Sequence, residues 1–371
     1  MIRAAACLAV VLVAASSSVA AADTIYVPAK QPTIQAGIDA AQPGDTVLVA
    51  AGTYRETVVV ASRTDLTIQA VAGATVLPGK TAAPAFRLTG CTRVVLDGFA
   101  VTKSRAEGVF AENCSLVTIS HLSVSRSRLD GIRVDASPDC TVADSIVSQT
   151  GRGAVGISLS FGQNHVSDRG RVQRCSVVRA GGEGIDVHGD AIVVEDCTVT
   201  RSADSGIEID RDAPTTTNCI VRRCVVTGSG NVGIICTGTG NLVEDNTVDR
   251  ANFHGISIFH IPTGTASANT LRGNVVTATV RHDGIEVLAD ENTIDGNTVD
   301  RPRQDGIYLD GVGNFATGNT VTRAGLYGFE LAQTGSGHTL TDNTATESRR
   351  ADLHNLAAGV TLTGNTVPTV R

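Results

Sequence analysis

A glycine followed by an apolar residue recurs at Gly108-Val109, Gly131-Ile132, Gly156-Ile157, Gly184-Ile185, Gly206-Ile207, Gly233-Ile234, Gly255-Ile256, Gly284-Ile285, Gly306-Ile307 and Gly328-Phe329. No other feature of the chain restricts its possible folds as strongly. The glycines at 284, 306 and 328 stand 22 residues apart. After each one the residues alternate, as in Gly284-Ile285-Glu286-Val287, which is the period of a strand with one buried face. A second ladder runs through the same repeats as Gly98, His121, Ser145, Cys175, Cys197, Cys224, Asn246, Asn274, Asn297, Asn319, Asn343 and Asn365. Three short strands in about 22 residues, broken by Gly and Asn, make one turn of a parallel β-solenoid, whose coils bury their apolar faces only by stacking. The expectation is an all-β, single-stranded parallel β-helix of about eleven coils.

Corner asparagines suit such a stack, because each amide can bond the Asn and the backbone of adjacent coils and so fill donors that a bent strand leaves open. Composition agrees: aromatic residues are 3% and Trp is absent, so the core must be built from small β-branched side chains. Hydrophobic residues at 42% exclude a disordered chain. A net charge of −7 argues against general nucleic-acid binding, which needs a basic surface. Cys175, Cys197 and Cys224 share one repeat position, and Cys91 and Cys114 another, which favours stacked free thiols over a disulfide framework. No CxxC pair supports zinc, and no motif supports calcium, so neither a metal nor a cofactor is expected.

The amino end reads as a targeting segment followed by a cap. Arg3, the apolar run 4–15 and the small residues up to Ala22 have the order of a secretory signal peptide, too short to span a bilayer. Residues 1–22 are therefore expected to be removed, leaving 23–371 as one domain in a secreted or periplasmic protein without membrane insertion. Within a capping segment of about 23–45, residues 32–41 carry Ile34 and Ile38 on one helix face, and Pro43-Gly44-Asp45 ends the helix before a first strand at 46–49. An open first coil would be a sticky edge, and a short helix covers it.

The entry segment 24–56 and the Gly-Ile and Asn repeats resemble secreted right-handed parallel β-helix proteins of the pectin-lyase-like class, including periplasmic NosD-type proteins. The resemblance implies a right-handed coil. Residues one and three places after each apolar position form two outward columns. The first includes Arg133, Ser158, Asp186, Glu208, Ile235, Ser257, Glu286, Tyr308 and Glu330; the second includes Asp135, His188 and Asp210. Acid and base converge at Asp186 and His188 in one coil and Glu208 and Asp210 in the next, placing Asp186 beside Glu208 and His188 beside Asp210. Stacked carboxylates resist joint ionisation, and a carboxylate beside His fixes its free nitrogen. The longer repeats add residues at 161–170, 210–217 and 259–266, which bring His165, Arg169, Arg211 and His260 to one edge and would wall a groove.

At these residues the chain is similar to mannuronan C5-epimerases, in which a Gly-apolar-Asp-Pro-His strand precedes a coil carrying a second catalytic Asp. The resemblance implies catalytic roles for Asp186, His188 and Asp210. Val187 replaces the family's Pro, and Glu183 replaces the Tyr before the Gly, so the family's second acid/base is missing. Arg133, Asp135, Glu183, Glu208 and Arg211 are the candidate substrate contacts. The implied function is epimerisation or β-elimination on an acidic polysaccharide. The alternatives are a non-catalytic NosD-like binding or accessory protein, and a glycoside hydrolase using Asp186, Glu208 and Asp210.

Overall fold

The computed structural model describes residues 21–159, 167–209, 216–259 and 266–371. Among these residues every strand pairing is parallel, and strands three apart in sequence lie side by side in three sheets of 15, 13 and 13 strands. Each turn places one strand in each sheet, as in Val95–Asp97, Ala100–Thr102 and Val109–Glu112. The result is the expected right-handed β-helix with about 14 turns, more than the eleven expected. The difference lies at the amino end, where strands such as Val58–Ala61 and Phe86–Thr89 stack without the Gly-apolar signature.

Entry into the coil follows from local chemistry. Strand Thr24–Val27 pairs with Thr46–Val49, so the sheet begins one strand earlier than expected. Between them a helix spans Ile34–Ala40, the single one among the described residues. Thr33 caps it by accepting from the Ala36 amide at 3.1 Å, and the Glu56 carboxylate accepts the Ile34 and Gln35 amides at 3.0 Å each. Ile34 and Ile38 are fully buried over the first coils.

The repeated glycines are required by close approach between coils. A Cβ on Gly284 would lie 2.2 Å from Val299 Cγ1 and 2.7 Å from the Gly306 carbonyl oxygen; the same pair of obstacles recurs at Gly131 and Gly206. The inward residues after them, Ile285 and Val287 among them, form one continuous aliphatic core.

The asparagine ladder is a continuous buried polar stack. Asn297 Oδ1 accepts from the Asn274 amide at 3.0 Å and from Asn274 Nδ2 at 2.9 Å. Its own Nδ2 donates to the Leu271 carbonyl at 2.9 Å and to Asn319 Oδ1 at 3.0 Å. A parallel stack at another corner joins Asn241, Asn269, Asn292 and Asn314. The ladder differs from expectation at its start: the inward residues there are Phe99 and Leu122, and Gly98 and His121 stand one place earlier. His121 is exposed, has φ 52° and pairs with Asp97 at 2.7 Å. Apolar side chains fill the corner in these first coils, and the polar stack replaces them only from Ser145 onward.

Cys175, Cys197 and Cys224 are stacked, buried and unpaired, and Cys224 hands the stack to Asn246, whose Oδ1 accepts its amide at 2.9 Å. None of the eight cysteines between 91 and 236 forms a disulfide. Burial pushes the Cys140 thiol up to about 11, which suppresses the reactive thiolate. Unreduced protein is expected to show almost no reaction with a thiol reagent when native and to release these eight thiols in denaturant. Finding none after unfolding would mean a disulfide-bonded solenoid.

Candidate functional site

The outward face of the sheet running from Val58–Ala61 to Ala351–Asn355 carries the candidate residues. Arg133, Ser158, Asp186, Glu208 and Ile235 occupy one register column on successive strands, so Asp186 stands directly beside Glu208 as expected. Arg133 and Asp135 lie on strand Ile132–Asp135, and Asp186 on strand Ile185–Val187 with His188 immediately after it. The expected exposure is overturned: Asp135, Asp186, His188 and Glu208 are each at most 7% exposed. These side chains form a desolvated polar floor on the sheet.

His188 Nε2 lies 2.9 Å from Asp186 Oδ2 and 3.0 Å from Oδ1, an in-strand pair two residues apart. The carboxylate thereby holds the imidazole in one orientation. Arg133 is committed to its own strand: Nη2 and Nε donate to Asp135 Oδ2 at 2.6 and 2.9 Å, and the guanidinium lies against the Phe110 ring at 5.4 Å. Asp210 and Arg211 lie outside the described residues, as do His165 and His260, so the pairing of His188 with Asp210 and the groove walls are not part of this geometry. Arg169 binds Asp139 at a corner, with Nε 2.7 Å from Oδ1.

A third column was read in the sequence only at Glu183, because the two outward columns were taken from residues after each glycine. The residue before the glycine also faces this side, and it is Glu107, Asp130, Glu183, His254, Asp283 and Asp305 in six of the coils. Its carboxylates have a structural task. Asp130 Oδ1 accepts the Val155 amide at 2.8 Å, and Asp283 and Asp305 accept the Asp305 and Tyr327 amides at 2.9 Å, each satisfying a donor of the next coil. Repetition of acids one place before Gly-Ile was the available signal.

Burial changes the acidity of this column. Desolvation pushes the Asp130 carboxyl from 3.8 up to about 6, with Glu107 and Asp186 reinforcing the shift and Arg133 opposing it. Burial also raises Glu183, helped by the charges of Asp186, Asp204 and Asp130. Because the folded Asp130 holds its proton more tightly than the unfolded one, the native state binds more protons between about pH 4 and 6, and this group's contribution to stability declines as pH rises through that window. Asp130→Asn keeps an acceptor for Val155 and is expected to stabilise the protein above pH 7 by up to about 3 kcal/mol. Chemical denaturation at pH 4 and pH 8 checks this; an equal effect at both would refute the assignment.

The face can thus offer an oriented imidazole, a neighbouring carboxylate pair and carboxyls whose proton affinity burial raises, which together are acid-base equipment. The sequence profile described as right handed beta helix region matches residues 79–213, 161–300 and 283–371. No curated protein sequence matches the chain significantly. Among solved structures, the chain is similar to a mannuronan C-5 epimerase A-module from Azotobacter vinelandii, at 17% identity and TM-score 0.55, covering 91% of this chain and 94% of that one. It is also similar to the catalytic unit of a thermostable α-1,3-glucanase from Streptomyces thermodiastaticus strain HF3-3, at 17% identity and TM-score 0.60, covering 95% and 71%. A surface adhesin of Streptococcus pneumoniae aligns at 12% identity and TM-score 0.53 over 90% and 88%. At these identities the likeness establishes the fold alone.

Proposed function

The chain belongs to the right handed beta helix family, and from that premise we propose that it is an exported, carbohydrate-active protein performing acid-base chemistry on an acidic polysaccharide, with Asp186 and His188 at its centre. The observation that carries this reading is the buried His188-Asp186 pair at 2.9 Å, set beside Glu208 on the outward face of a sheet. Removing the C5 proton of a uronate, by epimerisation or β-elimination, needs an oriented base and a neutralised substrate carboxylate. His188 is the base. Glu183, its proton affinity raised by burial, stands where the epimerases that the sequence resembles carry Tyr and is the candidate second acid/base group. Asp210 as a further catalytic acid and Arg211 as a substrate contact, both outside the described residues, remain the roles that the resemblance to the epimerases implies. The amino-terminal segment 1–22 directs the chain to the periplasm or the exterior.

Glycoside hydrolysis is the second reading. It is favoured by the register of Asp186 and Glu208, whose strands are about 4.8 Å apart, near the roughly 5 Å carboxyl separation of retaining glycosidases. One experiment separates the readings: the purified mature chain is incubated with polymannuronate, pectate and a neutral α-glucan. Proton NMR reports epimerisation, ultraviolet absorbance reports unsaturated ends, and a reducing-sugar assay reports hydrolysis. Epimerised or unsaturated uronate supports the proposal. New reducing ends from the glucan alone support the hydrolase. Saturable binding without turnover of any polymer identifies a non-catalytic binding protein.

A further inference from the structure

Farther along the same face, past two intervening strands, a second cluster has a different chemistry. His254 stands before Gly255, and His282 and Asp283 stand before Gly284 in the next coil. One nitrogen from each imidazole and one Asp283 oxygen all lie within 4.8 Å of one another. His254 Nδ1 is 3.4 Å from Asp283 Oδ2, with side-chain exposures of 7% and 8%. Yet His254 Nδ1 makes no hydrogen bond among the described residues. A buried imidazole nitrogen facing a carboxylate oxygen without bonding it is costly in an ordinary polar core.

Two ligands of one tetrahedral ion have this relation. With bonds of about 2.0 to 2.1 Å, neighbouring ligand atoms are separated by roughly 3.3 Å. The surrounding contacts prepare both groups for that role. Asp283 spends Oδ1 on the Asp305 amide at 2.9 Å, which leaves Oδ2 turned toward His254. The other His254 nitrogen, Nε2, lies 3.5 Å from Glu286 Oε1, and Ser257 Oγ steadies that carboxylate by donating to Oε2 at 2.7 Å. A carboxylate behind a ligating histidine is the usual outer support of a metal site. The His282 ring packs at a tilt of 36° against Phe253, 3.9 Å between centroids, and is half-buried, which holds it beside the other two ligands. His254 and Glu286 also line an open cleft of about 230 Å³ with Phe253, Ser257 and Phe259.

We propose that His254, His282 and Asp283 bind one divalent transition metal ion of the zinc class, with its fourth position left to water or a ligand. Two imidazoles and one carboxylate are a donor set that suits zinc with an open position, and zinc needs no redox control in an exported protein. Sequence reading missed the set because its ligands come from adjacent coils and contain no CxxC spacing. This site is separate from Asp186 and His188, so the two proposals fail independently.

The test is calorimetric titration of the chelator-treated full chain with zinc chloride, paired with cobalt substitution read by visible absorbance. One equivalent of saturable zinc and the bands of four-coordinate cobalt are expected. His282→Gln and Asp283→Asn should each weaken zinc by about 100-fold, at the upper end of what losing even an outer-shell partner costs; His121→Gln, at an exposed corner, should bind as wild type. Asp283→Asn retains the acceptor for the Asp305 amide, and far-ultraviolet dichroism checks that both variants fold. Absence of saturable uptake and of cobalt bands in wild type would overturn the site, leaving His254 as an ion-paired residue between Asp283 and Glu286. Unchanged affinity in both folded variants would also overturn it.

Discussion

Alanine in place of Gly284 is expected to destabilise the protein by at least about 3 kcal/mol, at the upper end of ordinary overpacking, although it adds a single methyl group. The added Cβ would meet Val299 Cγ1 at 2.2 Å and the Gly306 carbonyl oxygen at 2.7 Å, and only the first of these obstacles belongs to a side chain. Relief therefore requires the two coils to separate, which loosens the parallel pairing of Ile285–Leu288 with Ile307–Leu309. Gly296, twelve residues later, is the internal comparison. Its φ is +62° and nothing lies within 4 Å of its Cβ position, so Gly296→Ala incurs only the left-handed backbone penalty of about 1 to 2 kcal/mol. Val299→Ala should recover part of the loss in Gly284→Ala, because it removes the methyl clash and leaves the carbonyl. Urea unfolding measures all three. If Gly284→Ala costs no more than Gly296→Ala, coil spacing is not what selects the repeated glycines.

The same contrast explains what could be read in advance. Where a residue type is forced by a contact repeated in every coil, its periodicity is visible without a structure, as for Gly284 and its equivalents or for Asn274, Asn297 and Asn319. The outward column from Arg133 to Glu330 was legible for the same reason, since the strand period assigns faces once the glycines assign register. Legibility failed where one structural need has several chemical solutions. Phe99 and Leu122 fill a corner that Asn fills later, and so His121 was set one place wrong. The first coils bury Val58, Val60, Phe86 and Leu88 without the glycine signature, and so they went uncounted. Burial of the acidic floor was not legible either, because alternation assigns a residue to a face of the sheet and does not encode what covers that face.

That burial sharpens the prediction for the candidate active site. His188→Ala is expected to lower turnover of the uronate polymer by about 10² to 10⁴-fold, the range of general acid-base catalysis. Its stability effect should stay within roughly 1 to 2 kcal/mol, since the side chain lies outside the aliphatic core but is 6% exposed. Asp186→Asn should act differently. An amide still fills the space beside Nε2, at 2.9 Å in wild type, but it no longer carries the charge that favours and orients the imidazolium. Its effect should appear mainly in kcat and in the pH profile, with KM little changed. Glu183→Gln separates positioning from proton donation, because it retains a hydrogen-bond donor and loses the titratable group. A full set of folded variants that turn over alginate and pectate like wild type would remove His188, Asp186 and Glu183 from the chemistry. If only Glu183→Gln is silent, the imidazole pair remains and the second acid must come from another residue on this face.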